Sequence, residues 1–437
     1  MMNLLAAPRS ALMAALVLSM AFAPSCAFAS EKDSPLRYTV ERGDTLYGLA
    51  EKYFRSTAAI EQVRRLNRVA DARRLPVGKS LLIPRDVLRY TQVEVAVVAY
   101  SGPVRIANGT AQVGRVLKER ETVATGANGF VSFSTKFGGR FSIPSNSRAR
   151  LVSARRYLLG ETLDIDLAVE KGRSSASSPT LKNGSRIRVR TPVAVTAVRG
   201  TEFRVAYDEE RGRSLTEVVE GSVAVVTPAQ ETAALEGFGV ALAEGQAPST
   251  ERLLPAPQLV NGGDIQTAET LQFAIAPSAG EEGYRIQIAK DAGFLDVVSE
   301  QLIQRPQATF EELADGRYFV RARAISGSGL EGQSEALSFR RKRLGAGGSA
   351  GTSDDGAGYV FQWLPSGEGN TYYAFQLWRA DDPARLVVDE TSLSTSGFEL
   401  TGFDPGAYVW RVAAIQADAE DGLLKVWGPE QKLTISD

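Results

Sequence analysis

The chain of 437 residues contains no histidine. That absence removes most side-chain chemistry that operates near neutral pH. No imidazole can serve as general base, so Ser-His-Asp and Cys-His nucleophiles are excluded. Zinc sites built on two histidines, and haem ligation by histidine, are excluded with them. The single cysteine is Cys26, so no intrachain disulfide can form. Gly347-Gly348-Ser349-Ala350-Gly351 spells GxSxG. It lacks the strand-to-helix elbow such a serine needs, and no histidine can activate it. Carboxylate chemistry remains, because two acids can cleave a glycosidic bond without His or Cys. Asp164 and Asp166 share one face of an alternating strand, where two carboxylates could touch a cation. The plainer reading of that pair is a solvated outer face. Arg199 and Glu202 flank Gly200, which reads as a turn with paired charges beside it. No catalytic, metal or cofactor site is therefore expected.

The remaining candidate chemistry is recognition, and it depends on short elements near the start. Tyr38-Thr39-Val40 has strand composition, Gly43-Asp44 is a turn, and Asp44 can cap a helix beginning at Thr45. Leu46, Leu49, Ala50 and Tyr53 recur at helical spacing, as do Ile60, Val63 and Leu66 further on. Pro76 and Gly78 break the chain, and Leu81-Leu82-Ile83 forms a second strand ended by Pro84. The order is βααβ over residues 38–84. This segment resembles the LysM family over its whole length. The resemblance is carried by Tyr38-Thr39-Val40, Gly43-Asp44-Thr45-Leu46, Leu49-Ala50, Leu66-Asn67 and the run Pro76 to Pro84. Arg68 stands where the family pattern often has proline. The resemblance implies binding to N-acetylglucosamine-containing glycan, here peptidoglycan. It places the groove between two loops, Gly43, Asp44, Thr45 and Leu46 on one side and Leu75, Pro76, Val77 and Gly78 on the other. Such loops offer backbone N–H and C=O groups to acetamides and small apolar surfaces to methyls.

Composition sets the context. Lys+Arg number 50 against Asp+Glu 51, a formal net charge of -1. No basic footprint for nucleic acid exists. Hydrophobic residues make up 43%, enough for cores, and the length suggests about three domains at ~150 residues each. Residues 1–29 read as a signal peptide: Arg9, an apolar run from Ala11 to Ala23, then Ala27-Phe28-Ala29 before the cut. The run is shorter than the ~20 residues that span a membrane, and no comparable stretch follows. Ala23-Pro24-Ser25-Cys26 is a poor lipobox because of Pro24. The expected location is the periplasm or cell envelope, with no membrane span in the mature chain.

Beyond residue 93 the periodicity is two, with Gly- and Asn-containing turns. Residues 95–245 resemble the FecR domain family, through Gly126-Ala127-Asn128-Gly129-Phe130-Val131, Ile143-Pro144, the run Arg190 to Phe203, and Val219-Glu220-Gly221-Ser222-Val223. The family's namesake relays a signal across the inner membrane, but its cytoplasmic part and membrane helix have no counterpart here. Two later segments repeat each other. Tyr284-x-Ile286-x-Ile288 matches Tyr373-x-Phe375-x-Leu377, and Gly316, Tyr318, Arg321 and Ile325 match Gly406, Tyr408, Arg411 and Ile415. Residues 255–340 and 359–437 resemble fibronectin type III sandwiches of roughly seven strands, with corner tyrosines at Tyr318 and Tyr408. Trp363, Trp378, Trp410 and Trp427 read as core rather than as a sugar-stacking row. Residues 341–358, rich in Gly, Ala and Ser, read as a flexible linker.

The expected fold is multidomain and mainly β: a small βααβ module, an all-β domain and two Ig-like sandwiches. The expected protein is a non-enzymatic envelope protein that binds peptidoglycan through residues 38–84. Residues 95–437 form an arm for contact with an envelope protein or further glycan. A peptidoglycan glycosidase using a carboxylate pair, and an envelope signal sensor using the FecR-like domain, are the alternative readings.

Overall fold

The computed structural model describes residues 34–437 except 182, 183, 199, 278, 312, 355, 357, 419–421 and 437. The signal-peptide segment 1–29 lies outside the described residues. The chain divides into two units at Arg89/Tyr90, and it is mainly β with one small α/β part.

The first unit has the βααβ order. Strand Leu36–Thr39 pairs antiparallel with strand Ser80–Ile83, Leu36 opposite Ile83 and Thr39 opposite Ser80. Helices Leu46–Tyr53 and Ala59–Leu66 lie between them in sequence. Leu46, Leu49 and Ala50 are buried, as their i, i+3, i+4 spacing requires. Phe54, Val63, Leu81 and Ile83 complete the core. Leu66, expected on the second helix's apolar face, is instead exposed. That helix is short, and Val63 alone is fully buried on it.

Among the described residues, eighteen strands, from Tyr90–Gln92 to Ser249–Arg252, form a closed barrel around one apolar core. The barrel therefore begins and ends a few residues outside 95–245, because its first and last strands complete pairings with Arg148–Tyr157 and Phe238–Ala243. The long strand Leu163–Ser177 turns the corner. Its first part pairs with Arg148–Tyr157 and Arg186–Arg190, and its second with Arg140–Ile143 and Glu202–Asp208. Asp164 and Asp166 are 2% and 1% exposed, not solvated. The parallel register sets Asp164 opposite Arg186 and Asp166 opposite Arg188. Arg186 donates to both Asp164 oxygens at 3.0 Å, and Arg188 and Arg190 pair with Asp166 at 2.9 and 2.7 Å. Alternation alone cannot see an arginine ladder on the neighbouring strand, so this pair reads as structural.

Seven strands from Ile265–Gln266 to Ala336–Arg341 form the first sandwich, a five-stranded sheet facing a two-stranded one. The second sandwich sets Gly345–Thr352, Gly358–Ser366 and Gly397–Thr401 against a five-stranded sheet centred on Gly406–Asp418. The repeat extends to side chains. Tyr318 donates to the Ala314 carbonyl and Tyr408 to the Asp404 carbonyl, each four residues upstream. Arg321 binds Gln287 at 2.8 Å, and Arg411 binds the equivalent Gln376 at 2.9 Å. Trp363 and Trp410 are core, while Trp427 is half-buried beneath Arg411, 4.4 Å from its ring.

The supposed linker 341–358 is corrected here. Gly345–Thr352 is a strand, paired from Gly345–Ser366 to Thr352–Tyr359. Its glycines are not a sign of flexibility. A Cβ at Gly348 would lie 2.5 Å from the Trp410 ring, so the indole packs directly on backbone. Gly348→Val should therefore destabilise the second sandwich by about 2–3 kcal/mol through overpacking. Urea denaturation followed by Trp fluorescence checks this, and an unchanged midpoint would refute it.

The barrel and first sandwich interlock. Phe130 packs on Phe294 and Val297, and Ala206 and Leu215 pack with Leu330. Ser132 donates to the Leu295 carbonyl at 2.6 Å, and Ser101 donates to that of Val297. Between these patches lies a buried charge network. Glu217 takes Arg173 and Arg204; Glu331 takes Arg173, Arg285 and Arg323 at 3.1, 2.5 and 3.2 Å. Glu300 takes Arg285 at 2.5 Å and also accepts from Gln287 and Ser145.

Candidate glycan-binding site

Local chemistry builds the first loop. Thr45, not Asp44, is the N-cap: its backbone is extended and its hydroxyl accepts from the Gly48 N–H at 2.9 Å. Asp44 has a different task. Its carboxylate accepts from the Tyr38 hydroxyl and the Glu41 N–H, both at 2.7 Å. Burial and that hydrogen bond push the Tyr38 phenol up, so it stays a protonated donor. The strand is thereby tied to the turn before the helix.

Backbone bonds anchor both loops to neighbouring segments. Leu46 N–H donates to the Ala72 carbonyl at 2.8 Å. Gly78 N–H donates to Val40 at 2.9 Å, and Val40 N–H returns a bond to Lys79. Gly43 and Gly78 have φ of +94° and +80°, and a Cβ on either would meet nothing within 4 Å. Backbone conformation demands glycine there, while the space above both stays open.

These bonds fix each expected loop at one end, the first through Leu46 to Ala72 and the second through Gly78 to Val40. Gly43, Pro76, Val77 and Gly78 are exposed, and Asp44, Thr45 and Leu75 are half-buried. Leu46 is 0% exposed. Its side chain is core, so it supports the rim and cannot touch a ligand. Sequence reasoning missed Tyr47, an aromatic 52% exposed in the first helical turn. Its position out of phase with Leu46, Leu49 and Ala50 carried that signal.

Asn67 is a clamp rather than a site residue. Its amide donates to the carbonyls of Val63 and Leu82 at 2.8 Å, and its oxygen accepts from Leu82 N–H at 2.6 Å. Arg68 follows with φ +48°. A proline ring cannot adopt that angle, so this chain closes its helix with a left-handed residue where the family pattern often has proline. Asn67→Ala should cost about 2–4 kcal/mol, since three partly buried bonds vanish together. Amide hydrogen exchange in the strand Ser80–Ile83 reports it, and unaltered protection would refute the clamp.

Comparison with known proteins follows this geometry. The LysM domain family model matches residues 38–84, and the FecR protein family model matches residues 121–224. No curated protein matches the chain. Among solved structures, a candidate anti-sigma factor from Parabacteroides distasonis is 14% identical, with a TM-score of 0.26. The match covers 30% of this chain and 59% of that one. A segment of two fibronectin type III domains from chicken tenascin is 14% identical, with a TM-score of 0.20, over 41% of this chain and 98% of its own. Likeness at that level carries no functional argument. The two family matches thus fall on separate parts of the fold, LysM on the βααβ segment at residues 38–84 and FecR within the barrel at residues 121–224.

Proposed function

We propose that this is a peptidoglycan-binding protein of the cell envelope, acting without turnover. The observation that carries the reading is the open rim between Gly43–Thr45 and Pro76–Gly78, set by backbone hydrogen bonds within a LysM domain. Its ligand is N-acetylglucosamine-containing glycan. Exposed Val77 and Tyr47 supply apolar surface for acetamide methyls and sugar faces. Residues 90–437 then serve as the part held at the wall, for contact with an envelope protein. The FecR match favours a second reading for that part, reception of an envelope signal.

Gly78→Trp with Thr45→Ala in the full chain tests the rim. Losing one or two hydrogen bonds and filling the open space should weaken binding to purified sacculi by about 1–3 kcal/mol, or roughly 5- to 150-fold. Circular dichroism must show the variant folded, because Gly78 takes a positive φ. Wild-type binding by the folded variant would remove the rim from the site. Turnover is tested separately, by incubating labelled sacculi with the protein. Release of muropeptides above a heat-killed control, lost on mutating one carboxylate pair, would make the protein a hydrolase.

A further inference from the structure

The junction of barrel and first sandwich leaves a small cavity of about 30 Å3. Arg173 and Arg204 line it from the barrel, and Arg285, Arg321, Arg323 and Glu331 from the sandwich. The network around it sets five guanidiniums against three carboxylates, Glu217, Glu300 and Glu331. Arg321 hydrogen-bonds only neutral Gln287 among the described residues and stacks on the Phe294 ring at 3.9 Å. Arg323 is 6% exposed, and its Nε has no hydrogen-bond partner. Glu202 is felt by Arg321, but it is exposed and screened by water.

Arg323 is paired with Glu331, and Arg321 is half-buried, but a buried N–H without a partner and a surplus of positive charge around it are both costly. The cavity exceeds the ~10–15 Å3 that one water needs. Water would satisfy the Arg323 N–H but bring no charge. A monatomic anion does both, and a sugar or phosphoryl compound is too large. We propose that the cavity binds a single halide ion, chloride in solution, which pins the barrel to the first sandwich. Burial and neighbouring guanidiniums, Arg323 and Arg204 for Arg321 and Arg204 and Arg285 for Arg323, push both below their ordinary value, Arg323 to about 10. An anion between them opposes that shift.

The test uses the full chain at constant ionic strength, with chloride replacing gluconate. The melting temperature should rise by about 2–4 °C in chloride. Arg323→Gln should abolish the dependence. Ser175 also lines the cavity and pairs across the sheet with Arg204. Ser175→Asp should supply the missing charge, giving a high melting temperature in gluconate and no response to chloride. A wild-type protein indifferent to chloride, or an equal response in wild type and both variants, overturns the site. If Arg323→Gln fails to fold, Ser175→Asp decides. Crystals soaked in bromide should show an anomalous peak beside the Arg323 Nε, and a cavity without one equally refutes the proposal.

Discussion

Glu331→Gln should destabilise the barrel–sandwich junction by about 3–5 kcal/mol, the loss usual when one partner of a buried ion network is removed. The substitution keeps the shape and removes the charge that faces Arg173, Arg285 and Arg323. Glu331 is 1% exposed, so water cannot replace it. The pH dependence follows from the sign of its shift. Burial alone would raise the carboxyl, but the guanidiniums of Arg173, Arg285, Arg323 and Arg204 outweigh it and hold the group well below its usual range. A depressed folded-state value means stability that is fully present above the unfolded value of about 4.3 and lost as pH falls through the folded one. Wild type and variant should therefore differ by a constant amount from about pH 5 upward, and the gap should narrow under acid. Melting curves at pH 7 and pH 3 decide it. Equal midpoints at pH 7 would show that the network contributes nothing.

Removing residues 34–89 should abolish co-sedimentation with sacculi, whereas removing the second sandwich should leave it near the wild-type level. The first unit has its own core of Leu46, Phe54, Val63, Leu81 and Ile83, so the deletion takes away a complete fold and leaves residues 90–437 to fold separately. A sacculus is a dense repeating polymer, so weak binding at one site is reinforced by rebinding. Loss of the site therefore appears as a change from mostly pelleted to mostly soluble. If residues 90–437 pellet as well as the full chain, the anchor lies in the barrel or the sandwiches.

How much of this was legible in sequence depends on the range of the cause. The βααβ order and the two rim loops were visible because helix spacing, a hydroxyl cap and turn glycines act within a few residues. The corner tyrosines were visible because the repeat preserves their offsets. What failed depends on partners distant in sequence. Asp164 and Asp166 are buried by arginines 22 to 24 positions later. Gly348 is glycine because Trp410 lies on it, and composition alone reads such a strand as a linker. Glu217, Glu331 and their arginines sit on five separate strands and one loop, so no local pattern distinguishes them from surface charge. At the rim, the resemblance groups Leu46 with the loop while its helical spacing marks it as core, and the structure buries it, because a motif records that a residue matters without recording which way it points.

The interlocked junction also bears on how such a chain can be inherited and cut. Arg204 reaches across to the carbonyls of Glu331 and Gly332, both at 2.8 Å, and Glu217 accepts from the Glu331 N–H. A gene rearrangement that carried off the barrel without the sandwich would leave Arg173 and Arg204 short of Glu331. The reverse cut would leave Glu331 without Arg173. Barrel and first sandwich must therefore travel as one hereditary block, and 245–255 is the wrong place for an expression boundary.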